Sequence, residues 1–232
     1  MKNIYCLLIV SFLCIFSLLP AGAQTLSEKD FQVLNMNDGL SDNDIHSVAK
    51  DTEGFMWFGT GSGLNRYDGR TFKVFRMPGI FYRRIDRVVS LDTDYLLLRS
   101  EQNLFLFDKK YERFLPVCDS VSKQPVMFAD FVAGSGGSCW GVSSSELSEV
   151  TFPSSYVQDT AFVSVRHVVN NLQSDPFVVL CMAEDGKALY CASRNGTVYR
   201  FTPGQKQLKK VCDGQLYGAQ NETYIEGWEE KI

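Results

Sequence analysis

The chain has 232 residues, enough for one domain of ordinary size. Its 23 basic and 27 acidic side chains leave a net charge of −4, which argues against nucleic acid or an anionic membrane surface as a partner. The two histidines, His46 and His167, each stand alone in a strand-like run, so acid–base and metal chemistry have little to work with.

Residues 1–23 read as a signal peptide. Lys2 supplies a short basic start, Ile4 to Leu19 is apolar and uncharged, and Ala21 and Ala23 form a small-x-small cleavage signal before Gln24. The apolar run is shorter than the roughly 20 residues of a spanning helix. Cys6 and Cys14 leave with this segment, and an odd number of cysteines remains: Cys118, Cys139, Cys181, Cys191 and Cys212. Their spacing fits no zinc pattern, and they read as small buried hydrophobes in strands. Cys181 and Cys191 flank the turn Glu184-Asp185-Gly186, which places them to face each other across a hairpin, although we expect no disulfide there.

From Gln24 onward the pattern is short apolar or alternating runs between Gly, Asp, Asn and Ser turns. Phe55 to Phe58, Tyr95 to Leu98, Leu104 to Phe107, Phe177 to Leu180 and Val198 to Phe201 read as strands. Phe31 to Asn35 looks like a lone strand ahead of the first unit. The sharpest unit is Ile45 to Phe75: strand, turn, strand, Gly loop, strand, Asp-Gly turn, strand. Weaker copies follow at Val88 to Val117, at Trp140 to Leu147 and at Gly186 to Phe201, with Leu64, Leu104, Leu147 and Val198 as equivalent points. A four-stranded unit recurring every ~40 to 50 residues is the period of propeller blades. A β-sandwich fits the turn spacing alone equally well and stands as the alternative, with the sharp first unit favouring the propeller.

The expected fold is therefore all-β, a β-propeller of four-stranded antiparallel blades over 24–232, partial, with about four to five blades. The blades are expected near 36–77, 80–117, 125–155 and 162–212, with another starting at 217–232. An open blade edge at Ile232 is what a piece of a longer protein would show.

The first unit carries a family resemblance. Asp38-Gly39-Leu40-Ser41-Asp42-Asn43-Asp44-Ile45, then Asp51-Thr52-Glu53-Gly54-Phe55-Met56-Trp57-Phe58-Gly59-Thr60, then Gly63-Leu64-Asn65-Arg66-Tyr67-Asp68-Gly69, resembles the two-component regulator propeller repeat. Met56 stands where the family usually has Leu. The resemblance implies the front part of a hybrid two-component sensor histidine kinase. The propeller would be periplasmic, with the parent anchored in the inner membrane and acting as a homodimer. Remaining blades and downstream sensor domains would be its partners within that parent. The implied ligand is an oligosaccharide, and the implied output is control of polysaccharide-utilisation genes. No cofactor or metal is implied, no nucleic acid is contacted by this segment, and the chain is expected not to be an enzyme.

Most motif residues read as structural: Gly39, Leu40, Asp51, Gly54, Trp57, Gly59, Thr60, Gly63, Leu64, Tyr67 and Asp68. Trp57 and Tyr67 are expected to enter the interface between blades, with Trp140 repeating the role of Trp57. No Ser-His-Asp order, H-E-x-x-H or C-x-x-C occurs. The Asp-box of sialidase propellers is not met. In a propeller, the loops into each first strand and those between second and third strands share a rim. That rim would carry the ligand contacts Asn43, Tyr82, Arg84, Gln102, Arg194 and Asn195. The alternative is an exported propeller serving as a non-signalling protein- or glycan-interaction module. An enzyme built on a propeller is the weakest reading.

Overall fold

A computed structural model describes residues 31–79, 84–92, 94–143, 146–153, 156, 159–170, 176–205 and 207–213. Residues 1–23, where a signal peptide is expected, Tyr82 and the segment 217–232 lie outside the described residues. Phe31 to Asn35 forms no strand. Asn35 instead caps one 3-10 turn, Met36–Asp38: its side chain accepts from the Asn37 amide, and the Asp38 carboxylate accepts from the Asn35 amide. Short polar side chains bonding their own backbone compete with strand pairing here.

Sixteen strands follow among the described residues, and they form four antiparallel meanders. The first blade is β1 (Ile45–Lys50), β2 (Met56–Thr60), β3 (Gly63–Tyr67) and β4 (Phe72–Phe75). The second is β5 (Arg87–Ser90), β6 (Tyr95–Ser100), β7 (Asn103–Asp108) and β8 (Arg113–Asp119). The third is β9 (Asp130–Ala133), β10 (Ser138–Val142), β11 (Glu146–Thr151) and β12 (Ala161–Asn170). The fourth is β13 (Phe177–Met182), β14 (Leu189–Ser193), β15 (Val198–Phe201) and β16 (Lys209–Cys212). This is a β-propeller architecture of four-stranded antiparallel blades.

One boundary differs from the expectation. The segment 162–170 was expected to open the fourth blade, yet β12 pairs antiparallel with β11 and closes the third. The turn before it, residues 152–160, is long and contains Pro153, so the hairpin is not marked by a short Asp-Gly signal. The start of β12 also runs parallel to β8, Ala161 to Val163 against Val117 to Asp119. Ala161 and Val163 are buried there, which covers an edge that would otherwise offer free amides.

Blades pack by a repeated rule. Strand alternation sends Trp57, on β2, toward the second blade, where its ring meets Phe107 of β7 with centroids 5.6 Å apart. Leu97 of β6 shares a buried cluster with Val150 of β11. Trp140 of β10 meets Phe201 of β15 at 5.5 Å. A second-strand side chain thus inserts against the third strand of the next blade in each seam, and one such buried aromatic stabilises by about 1.5–3 kcal/mol through apolar area alone. Tyr67 does not enter the Trp57 seam. It pairs with Met56, whose side chain points away from the second blade, and its ring lies 4.7 Å from Phe72 of its own sheet.

The motif residues explain the sharpness of the first blade. Asp51 is buried. Its carboxylate accepts from the amides of Glu53 and Phe55 and from the Trp57 indole N–H at 2.8 Å. Gly54 closes that turn at φ +93°, a conformation L side chains rarely adopt. Gly59 is required by close approach, since a Cβ there would lie 2.7 Å from the Ile85 carbonyl oxygen of the next blade. Asp68 accepts from the amides of Arg70 and Thr71, and Asp108 repeats the device with Lys110 and Tyr111.

The five cysteines among the described residues are free. Cys181 pairs with Tyr190 and Leu180 with Cys191, so the two thiols occupy opposite faces of the hairpin rather than facing each other. Burial pushes the Cys191 thiol up to about 12, which leaves it protonated and unreactive at neutral pH.

Candidate functional site

The loops between second and third strands and the segments leading into first strands are laced into one rim by backbone hydrogen bonds. Gly61 donates to Asp44 at 3.2 Å, Ile85 to Thr60 at 2.9 Å, Phe128 to Gln102 at 2.9 Å and Arg194 to Pro176 at 2.9 Å. The bonds from Ile85 and Phe128 cross between blades, so the rim is continuous from the first blade to the third.

In the first blade this rim is tightly braced. Asn65 accepts from the Ser41 amide at 2.9 Å and donates to the Ser41 hydroxyl at 2.8 Å. Thr60 donates to the Gly63 carbonyl at 3.0 Å. The Asp42 carboxylate accepts from the Asp44 amide and the Ser62 hydroxyl, and these two bonds hold its pKa below the ordinary carboxylate value. A cavity of about 390 Å³ opens beside this network, lined by Ser41, Ser62, Arg76, Met77 and Gly79.

The expected contact residues occupy the rim without converging on that cavity. The Asn43 carboxamide oxygen accepts from the Met36 amide at 3.0 Å, so half of its polar capacity braces the chain. Arg84 is ion-paired to Asp86 at 2.5 Å. Gln102, Arg194 and Asn195 project from the turns of the second and fourth blades; Gln102 and its neighbour Glu101 are reached by Phe128 and Asp86 respectively. Asn43, Arg84, Gln102, Arg194 and Asn195 therefore stand on three blades, and none of them lines the cavity.

Sequence reading missed one cluster. His167 is not alone: its Nδ1 lies 2.7 Å from the Glu146 carboxylate and 3.1 Å from the Ser148 hydroxyl. Glu146 and Ser148 are two apart on β11 and share a face, and Ser148 is paired with His167 across to β12. Only the strand pairing brings the three together, and no local motif announces it. Asp119, Ser122, Gln124 and Met127 complete a cleft of about 160 Å³. Both contacts fall on the same ring nitrogen. A relay that activates a serine needs the serine on one nitrogen and the carboxylate on the other. The cluster is therefore a polar brace in an open cleft. Among the described residues no group of three metal-ligating side chains occurs, and no helix is long and apolar enough to cross a membrane.

Comparison with known proteins places this geometry. Residues 39–62 match the family described as Two component regulator propeller. Over 78 residues the chain is 37% identical to histidine kinase P4 of Formosa agariphila, covering 33% of this chain and 5% of that protein. The extracellular domain of a putative hybrid two component system from B. thetaiotaomicron superposes with a TM-score of 0.59 at 18% identity, over 78% of this chain and 26% of that one. A second such extracellular domain from the same organism gives 0.54 at 16% identity, over 86% of this chain and 24% of that one. The chain thus spans about a quarter of each solved domain and a twentieth of the curated kinase. Residues 39–62, at the front of the first blade, are thus similar to a two-component regulator propeller repeat, in a chain whose fold is shared with the extracellular domains of hybrid two component systems.

Proposed function

We propose that the chain is the ligand-sensing front of a hybrid two-component sensor histidine kinase. In this reading it is exported by the segment 1–23 and works in the periplasm, with the parent anchored in the inner membrane as a homodimer. The ligand is an oligosaccharide, and the output is control of polysaccharide-utilisation genes. The observation that carries the reading is the match of residues 39–62 to the regulator propeller family. The likeness to extracellular domains of hybrid systems supports the location. A ligand biases such a sensor only by binding one arrangement better than the other, so the propeller needs affinity and no chemistry.

The rim residues Arg84, Gln102, Arg194 and Asn195 are the proposed contacts, with Tyr82 as the aromatic platform and the free amide nitrogen of Asn43 as a further donor. Calorimetric titration of the purified chain with a panel of plant and host oligosaccharides tests this. Binding of one glycan class, weakened at least about threefold by Gln102→Ala or Arg194→Ala, supports the reading. A folded chain that binds none of the panel overturns the oligosaccharide assignment.

A further inference from the structure

We propose that the axial mouth of the seam between blades two and three binds a small oxyanion, a carboxylate, sulfate or phosphate group, between the guanidinium groups of Arg87 and Arg99. This goes beyond the sensing reading and does not depend on it.

Arg87 of β5 and Arg99 of β6 are directly paired across the strands. Two residues along, Val89 and Leu97 belong to the core shared with the third blade, whereas Val88, Leu96 and Leu98 belong to the core shared with the first. Alternation therefore puts both arginines on the third-blade side, at the rim end of the strands. Like charges directly opposite one another on a sheet are unfavourable.

The other blades avoid this arrangement. Arg99 pairs with Leu104, as Gly59 pairs with Leu64, Val142 with Leu147 and Ala192 with Val198. Three blades thus keep a small or apolar residue at this seam position, and the second places a guanidinium there. The Nε atoms of Arg87 and Arg99 are both buried and make no hydrogen bond. A buried polar donor without a partner is costly, so a retained pair of them points to a partner that arrives from outside.

The nearby carboxylates do not supply it. Asp130 comes closest, with Oδ1 3.8 Å from the Arg87 Nε, but its Oδ2 accepts from the Leu180 amide at 3.0 Å. Asp86 is bound to Arg84 and to the Glu101 amide. Arg87 thus has one loosely placed carboxylate, and among the described residues Arg99 forms no ion pair. The Arg87 side chain is 41% exposed, which gives an anion a route in from solvent. Forked N–H donors match the planar or tetrahedral oxygens of carboxylate, sulfate and phosphate.

The test uses the full chain, titrated calorimetrically with sodium sulfate, sodium phosphate and sodium acetate against sodium chloride at matched ionic strength. At least one oxyanion is expected to bind above the chloride control, and preference for acetate over sulfate or phosphate identifies a carboxylate ligand. Arg99→Met and Arg87→Met should each weaken binding tenfold or more, while Arg70→Met, in an exposed turn, should not change it. Arg99→Lys keeps the charge and removes the fork, and should weaken binding severalfold if the methionine variants prove unstable. Absence of binding by all three oxyanions, or undiminished binding in the Arg99 and Arg87 variants, overturns the proposal.

Discussion

The seam between blades one and two and the seam between blades three and four use the same aromatic insertion with different polar support. Trp57 meets Phe107 and Trp140 meets Phe201 at nearly the same separation. At the first seam the indole N–H is held by Asp51, and Lys109 of the second blade reaches the same carboxylate at 3.3 Å. The Lys109 side chain is 7% exposed and that of Asp51 is wholly buried, so this is a desolvated ion pair joining two blades. At the other seam the corresponding turn reads Gly134-Ser135-Gly136-Gly137, with no carboxylate to offer, and Ser138 braces it through the Ser135 carbonyl at 2.9 Å. A buried apolar side chain from the second strand is what the described seams have in common. The ionic node is an addition that ties a particular pair of blades and makes that pair sensitive to pH.

The largest test removes the rings. Trp57→Ala and Trp140→Ala should each cost about 3–5 kcal/mol in urea denaturation, because both leave a cavity at a packed seam. The seams separate in the milder variants. Trp57→Phe should cost about 1–2 kcal/mol more than Trp140→Phe, since it also strips a donor from the buried Asp51 carboxylate. Equal losses would show that the ionic node does not lean on the indole.

Lys109→Met comes next. It leaves the Asp51 charge buried beside a thioether, and breaking a buried pair in this way costs about 3 kcal/mol. The double variant Asp51→Asn, Lys109→Met should recover part of that loss, because no charge is then stranded. The same node sets an acid response. Burial alone would raise the Asp51 pKa, but the Trp57 N–H, the Lys109 charge and the backbone amides outweigh it and hold the group below its ordinary value of 3.8. A depressed carboxylate contributes stability in full above its unfolded pKa and loses it as the pH falls through the folded value. Unfolding free energy should therefore hold near pH 5 and fall below about pH 4. Lys109→Met should move that fall to higher pH, and Asp51→Asn should flatten the Asp51 contribution.

Much of the first blade was legible because its motif is local. Asp51, Gly54 and Trp57 serve one turn and one strand, and Asp68 serves one hairpin, so sequence neighbours are also chemical partners. Lys109 was not legible: it lies far along the chain from Asp51, and only blade packing brings it there. The boundary at β12 was missed for a related reason. A long turn containing Pro153 hides the hairpin, and an alternating run such as Ala161 to Asn170 fits a fourth strand as well as a first. The rim was legible as a location. Its chemistry was not, because Asn43 is half occupied by Met36 and Arg84 by Asp86, and such partners depend on loop conformation rather than residue type. The Arg87–Arg99 pair needed the register of β5 against β6, which a run such as Tyr95 to Ser100 leaves open by one residue.

The smallest expected effect compares one position across the two seams. Gly59 and Val142 hold the same place, each opposite the leucine that marks the blade repeat. At Gly59 the next blade comes so close that a Cβ would meet the Ile85 carbonyl oxygen and crowd the Ile85 and Val88 methyl groups. Backbone cannot withdraw as a side chain can, so Gly59→Ala should cost about 1–3 kcal/mol by overpacking. Val142 instead fills the corresponding space with its own side chain, buried in the core shared with the fourth blade. Val142→Ala should then cost about 1–2 kcal/mol by leaving space rather than filling it. The two losses are similar in size and opposite in origin. A second substitution that removes the opposing Cγ2 methyl while keeping side-chain volume, Ile85→Leu, distinguishes them: it should recover part of the Gly59→Ala loss and none of the Val142→Ala loss. Recovery in neither background would mean that the Ile85 carbonyl alone sets the spacing of the first seam.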